Sequence, residues 1–277
     1  MNTARRSIVV VLAALAAVLG LTGAASAAVT TIGYDVSYPQ CGTTLPYSHA
    51  FGVVGVNRGL PTTANPCLAA QLSWAWESSG AVRSQPKAQL YLNTANPGAV
   101  TPKVASWPSS GSTPYGTCAG TNTTACSWQY GWNRAKDSAA TLLSAAQSAT
   151  VDGRTSSYIW WLDVENANSW QYTGDDPVAD QTSPASARNR ATLEGMTAYV
   201  TGQGGRIGLY AVPGQWSSIV GSTPTTSNLA GRSSWLPGAT TLNGATANCA
   251  KPALTPAGHV TLTQFVVKNL DRDHSCV

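Results

Sequence analysis

The chain has 277 residues, 43% of them hydrophobic and only 10% charged, with 16 Lys+Arg against 12 Asp+Glu. Disordered chains are poor in apolar residues and rich in charge, so this composition excludes an intrinsically disordered protein. No basic run accompanies the formal charge of +4. Nucleic acid is therefore not expected as a partner, because binding it needs a clustered cationic face that displaces counterions.

Residues 1–27 have the layout of a secretory signal peptide. Arg5 and Arg6 precede an apolar stretch from Ile8 to Leu21, and Ala25-Ser26-Ala27 offers a small-residue cleavage site. The apolar run is shorter than the about 20 residues needed to span a bilayer. The expectation is a secreted monomer, free of the membrane after cleavage, with one domain over 28–277. Six cysteines (Cys41, Cys67, Cys118, Cys126, Cys249 and Cys276) lie in that part. An even number in an exported chain predicts disulfides. The sequence does not choose among the pairings. Nearest-neighbour pairing, each closing one local loop, is the expectation. There is no C-x-x-C, and His49, His259 and His274 are scattered, so no metal site is expected.

In chain order, strand-length apolar runs predict strands at 31–36, 51–57, 88–93, 157–164, 206–211 and 260–267, with weaker ones at 234–236 and 245–248. Helices are predicted at 66–79, 128–149, 184–202 and 214–220. Ser183 is placed as the cap of the third, Pro184 at its first helical position, and Gly204-Gly205 at its close. Residues 94–125, rich in Pro, Gly, Ser and Thr, read as a long surface loop. Strands alternating with helices argue for βα units and a mainly parallel sheet. About 250 residues is the usual size of a (β/α)8 barrel, and the absence of a G-x-G-x-x-G or P-loop argues against a nucleotide-binding open sheet and for no cofactor. The expected fold is an α/β, TIM-type barrel, with flattening or irregularity in its second half.

Catalytic groups of such barrels sit at the C-terminal ends of strands. Acidic residues are scarce here, so their positions are informative. Asp35 ends the first predicted strand, and Asp163 and Glu165 end the fourth, in Tyr-Ile-Trp-Trp-Leu-Asp-Val-Glu-Asn. Strand alternation puts Ile159, Trp161, Asp163 and Glu165 on one face, with the two carboxylates about 7 Å apart. Mutual repulsion and apolar surroundings both raise a carboxyl pKa, which suits a general acid. The plainer reading is a solvated strand end or a structural pair. Ten Trp and ten Tyr against two Phe supply flat faces with polar edges, suited to sugar rings. Trp170 and Tyr172, just beyond Glu165, are the loop candidates for such contacts, and Trp161 shares the carboxylate face. A Ser-His-Asp site is not expected, since no G-x-S-x-G elbow is present. Carboxylates without a metal fit glycoside hydrolysis.

Gly33-Tyr34-Asp35-Val36-Ser37 with Gln40, and Leu162-Asp163-Val164-Glu165, resemble the opening motif and the D-x-E strand of glycoside hydrolase family 25 lysozymes. Leu209-Tyr210 and Leu262-Thr263-Gln264-Phe265 are similar to later strand ends of that family, and Asp271 or Asp273 stands where its late Asp falls. The sequence also resembles exported actinobacterial proteins with a glycoside hydrolase-like barrel. The resemblance implies a flattened barrel that cleaves the β-1,4 bond between N-acetylmuramic acid and N-acetylglucosamine in peptidoglycan. It implies Glu165 as proton donor, Asp163 and Asp35 as stabilising or orienting groups, and Asn93, Tyr210 and Gln264 along the cleft. Three departures stand beside it: the 94–125 insertion, the short span from Gln264 to Asp271, and Arg58, a cation near the mouth placed to pair with a carboxylate. Three readings follow: a secreted muramidase-like hydrolase, a non-catalytic cell-envelope glycan-binding protein on the same barrel, and a hydrolase of another polysaccharide. The expected partner is peptidoglycan or another cell-envelope polysaccharide.

Overall fold

The computed structural model describes residues 30–99, 106–172 and 184–277. The predicted signal peptide, the predicted cap Ser183 and residues 100–105 lie outside these. Eight strands close a barrel in the order β1 (Gly33–Val36), β2 (Gly52–Gly55), β3 (Ala88–Asn93), β6 (Ile159–Asp163), β7 (Arg206–Tyr210), β8 (Ser233–Ala239), β9 (Val260–Val267) and β10 (Leu270–Ser275). Seven run parallel, and β10 runs antiparallel to both of its neighbours, β9 and β1. The remaining two strands, β4 (Gly111–Thr113) and β5 (Gly116–Cys118), pair as a separate hairpin. The helices are α1 (Leu68–Trp76), α2 (Thr124–Ala149), α3 (Ala185–Gly202), α4 (Pro213–Ile219) and α5 (Leu242–Asn248).

The barrel is thus closed as expected, but its last strand is not a βα unit. Lys268 and Asn269 both have positive φ, 53° and 60°, the requirement of a tight two-residue hairpin turn whose twist matches the flanking strands. That turn folds Leu270–Ser275 straight back onto β9. The predicted strand at 245–248 is instead the end of α5, whose first turn is capped by the Thr241 hydroxyl accepting from the Gly244 amide at 3.1 Å. Pro184 is the N-cap of α3 rather than its first helical residue. The 94–125 segment is not all surface loop. Thr94, Ala95 and Asn96 are buried, and the β4–β5 hairpin is pinned to the first turn of α2 by the Cys118–Cys126 disulfide. Cys41–Cys67 ties the β1–β2 connection to the start of α1, and Cys249–Cys276 ties α5 to the residue after β10.

Alternation along β6 divides the core. Trp160 and Leu162 pack outward among Leu90, Leu142, Met196 and Leu209, beneath the helices. Trp161 points inward, with Phe51, Val53, Trp235 and Leu262. On the outside, α2 and α3 approach so closely that a Cβ on Gly195 would lie 2.0 Å from the carbonyl oxygen of Trp128. Overpacking of this kind typically costs about 1–3 kcal/mol. Gly195→Ala is therefore expected to lower the thermal midpoint by several degrees. Gly202→Ala, at the open end of the same helix with nothing within 4 Å, should not lower it. Equal midpoints for the two variants in a calorimetric scan would contradict this packing. Among the described residues, no helix is long and apolar enough to cross a membrane.

Candidate active site

The parallel strands end on one rim of the barrel, where a cleft of about 430 Å³ opens. Its polar side chains come from the barrel strands and the turns that follow them. Asp35 comes from β1 and is buried in the cleft floor. The following turn is held by Gln40, whose side-chain oxygen accepts from the Ser37 amide at 2.9 Å. This assigns a local role to the Gln of the opening motif, and it sets Tyr38 at the cleft wall.

Asn93 ends β3 and bridges two walls. Its amide nitrogen donates to Oδ2 of Asp163 at 2.7 Å, and its oxygen accepts from the Gly59 amide at 3.1 Å. Asp163 is buried, and its second oxygen, Oδ1, has no hydrogen-bond partner among the described residues. Glu165, two residues on, is half-buried and lines the same cleft. Its carbonyl accepts from the Asn168 amide at 3.1 Å and from the Trp170 indole N–H at 3.0 Å. From β7, the Tyr210 hydroxyl donates to Gln264 Oε1 at 3.0 Å. Gln264 Nε2, from β9, in turn donates to Asp35 Oδ2 at 3.0 Å. Asp271, at the start of β10, brings a fourth carboxyl to the cleft.

These carboxyls share one electrostatic condition. Burial pushes Asp35 up to about 8, helped by the negative charge of Asp271 and opposed by the Gln264 hydrogen bond. Burial holds Asp163 well above the ordinary carboxylate range, with the charge of Glu165 adding to it and the Asn93 hydrogen bond opposing. Glu165 is raised by burial and then by Asp271, while the polar Tyr210 hydroxyl beside it works the other way. Asp271 is raised by burial. The cause is common: carboxyls packed around a small cleft with little solvent favour the neutral form. Arg58 does not relieve it. Its guanidinium lies over the Tyr38 ring, 6.0 Å from the centroid, and the ion pairs found among the described residues are all elsewhere.

Seven of the residues singled out from sequence, Asp35, Asn93, Asp163, Glu165, Tyr210, Gln264 and Asp271, line this one cleft. Four others do not. Trp161 is 0% exposed, donates its indole N–H to Gln89 Oε1 at 2.8 Å and packs edge-on to Trp235, deeper in the barrel. Trp170 is 6% exposed and turned inward, where it anchors the Glu165 backbone. Asp273 is 0% exposed, on the same face of β10 as Asp271 but below the floor. Tyr172 is exposed and outside the cleft lining.

The cleft also contains aromatic rings that the sequence reading passed over: Tyr38, Tyr91 and Trp235. Tyr91 was accessible to the same alternation that was applied to β6, since it lies two residues before Asn93 on β3. Trp235 sits in the predicted strand at 234–236 and meets Tyr210 at a ring separation of 4.5 Å.

No protein-family model and no curated protein matches the sequence. Among solved structures, the chain is similar to a muramidase from Acremonium alcalophilum, at 13% identity and a TM-score of 0.49 over 88% of this chain and 92% of that one. It is similar to a bacterial lysozyme from Streptomyces coelicolor, at 13% identity and 0.48 over 88% and 91%. A muramidase from Trichobolus zukalii gives 15% identity and 0.47 over 89% and 93%. At these values the likenesses carry nothing about the chemistry of this chain, which rests on the cleft itself.

Proposed function

We propose that the protein is a secreted, muramidase-like glycoside hydrolase that cleaves β-1,4 bonds of peptidoglycan by carboxylate acid catalysis. The observation that carries this reading is the set of carboxyls at the barrel rim, with half-buried Glu165 raised in pKa and opening onto the same cleft as Asp35 and Asp163. Glycoside hydrolysis needs one carboxylic acid that is still protonated when substrate arrives and a second, ionised carboxylate beside the anomeric carbon. Burial supplies the first condition, and the Asn93 hydrogen bond to Asp163, which favours the ionised form, works toward the second.

Glu165 is the group we assign to protonate the departing glycosidic oxygen, because it is the more solvent-facing member of the Asp163–Glu165 pair. Asp163, locked by Asn93, faces the position where positive charge develops. Its second oxygen, Oδ1, is buried and has no protein partner among the described residues. Asp35, on the opposite strand end, stabilises that charge or orients the acetamido group. Tyr38, which is exposed at the cleft wall, offers a ring face to the sugar. The motif resemblance at Asp35, Asp163 and Glu165 supports peptidoglycan as the glycan, and the predicted signal peptide and three disulfides fit export to where peptidoglycan is found.

The test is the identity of the new chain end. Purified peptidoglycan is digested with the disulfide-intact protein, the products are reduced with borohydride, and the reduced sugar is identified by mass spectrometry. Reduced muramic acid is expected. Reduced glucosamine as the new end would contradict cleavage at the muramic side.

A further inference from the structure

The carboxyl of Asp273 is buried inside the barrel and is used by no step above. It lies directly across from Gly33 on β1 and from Gln264 on β9, which places it one rung below Asp35 on the same inner face. Neither of its oxygens finds a hydrogen-bond donor of normal geometry among the described residues. The Trp235 indole N–H lies beside it but falls short of that geometry. Arg272, the adjacent cation, belongs to the opposite face, over the Tyr34 ring at 5.7 Å. An ionised carboxylate in such a place, without donors or a counter-charge, is heavily penalised. A protonated one is a hydrogen-bond donor, and the acceptor within reach is Asp35.

We propose that Asp273 is held as a neutral carboxylic acid whose O–H donates to Asp35, making it a positioning residue for the cleft. A carboxyl kept neutral by an apolar site can serve in this way. Asp35 then receives two donors from below, the Asp273 O–H and the Gln264 amide at 3.0 Å. Both favour its ionised form, and together they limit the rise that burial and Asp271 impose. The chain Tyr210 to Gln264 to Asp35 takes its direction from the Asp35 carboxylate, which accepts from the Gln264 amide and so leaves Gln264 Oε1 to accept from the Tyr210 hydroxyl, and Asp273 completes it from the barrel interior. The titratable groups around the pair are Tyr91 of β3, Asp163 of β6, Tyr210 of β7 and Asp271 of β10, all of which interact electrostatically with Asp35. The two carboxyls therefore titrate as members of a coupled set.

This inference rests on the catalytic reading for its consequence, but its test does not need activity. Aspartate labelled with ¹³C at the side-chain carboxyl is incorporated, and the carboxyl resonances are followed against pH. The resonance that disappears in Asp273→Asn belongs to Asp273 and is expected to show the protonated form at neutral pH. In Asp273→Asn, which keeps a donor, the Asp35 midpoint should stay within about half a unit of its wild-type value. In Asp273→Leu, which has none, it should rise by about one unit or more. An ionised Asp273 at neutral pH overturns the proposal. So does an Asp35 midpoint that falls by about a unit in Asp273→Asn, the signature of a removed like charge, or one that is unmoved in a folded Asp273→Leu. If Asp273→Leu does not fold, the first two readouts still decide. The pH dependence of peptidoglycan cleavage, recorded on the same variants, should move with the Asp35 midpoint. If none of the proteins cleaves peptidoglycan, the functional reading fails while the titration still judges the Asp273–Asp35 bond.

Discussion

Glu165→Gln is expected to lower kcat on peptidoglycan by about 10²–10⁴, the usual loss when a general acid is removed. The substitution keeps the size and the hydrogen-bonding capacity of the side chain and removes only the transferable proton. The backbone at this position is held by Trp170 and Asn168 through the carbonyl, so the cleft should keep its shape and the affinity for glycan should change little. The pH profile carries a second readout. Because the Glu165 pKa is raised by burial and by Asp271, its protonated form persists above the ordinary carboxylate range. Wild-type activity should be present below that raised pKa and be lost as pH rises through it, and the limb due to Glu165 should be absent in the variant. Steady-state rates across pH check both points. Undiminished turnover in Glu165→Gln would remove this residue from the role of acid.

The second large effect is on stability. Asp35, Asp163, Glu165, Asp271 and Asp273 all have raised carboxyl pKa values in the fold, first of all through burial. A carboxyl raised on folding binds its proton more tightly in the native state than in the unfolded chain. Its stabilising effect is complete below the unfolded pKa and declines as pH rises toward the folded value. For Asp35 that window runs from 3.8 to about 8. His49 and His274, lowered by burial, act in the opposite direction as pH rises toward their unfolded pKa, but they are two partly buried groups against five carboxyls. The melting temperature of the disulfide-intact protein is therefore expected to be lower at pH 8 than at pH 5 by about 5 °C or more, at the two to four degrees per kcal/mol typical of this chain length. A flat or rising melting temperature over that interval, measured by calorimetry, would contradict the raised carboxyls.

Much of the barrel was legible because its strands are short apolar runs ended by glycine, proline or a polar cluster. The strands that became β3 and β9 coincide with their predicted spans, and β1, β2, β6 and β7 lie inside theirs. β10 was illegible for a physical reason. Asp271, Arg272, Asp273 and His274 give it the look of an exposed tail, yet the barrel needs a closing strand, and Asp271 and Asp273 are accommodated by a cleft and a buried polar cluster. The end of α5 reads as a strand in the sequence because a seven-residue helix with two Ala and two Asn is too short to show a helical period.

The site was legible to the extent that alternation fixes a face. It does not fix depth. Trp161 and Asp273 share faces with Asp163 and Asp271, but each sits two residues further into the barrel, about 7 Å along the strand, and is closed off from the cleft. Trp170 shows a different limit. A loop position seven residues beyond the end of β6 shows no periodicity, and its indole turns inward onto the Glu165 carbonyl. Tyr91 and Trp235, by contrast, lay within reach of the rule that found Asp163.

The most direct test of the central claim, that this cleft is catalytic, is the rate at which the purified, disulfide-intact protein releases new reducing ends from peptidoglycan. Continuous release over many turnovers, abolished in Glu165→Gln, is the predicted result. A folded protein that binds the glycan and releases no ends from it would contradict the claim and make the barrel a glycan-binding protein.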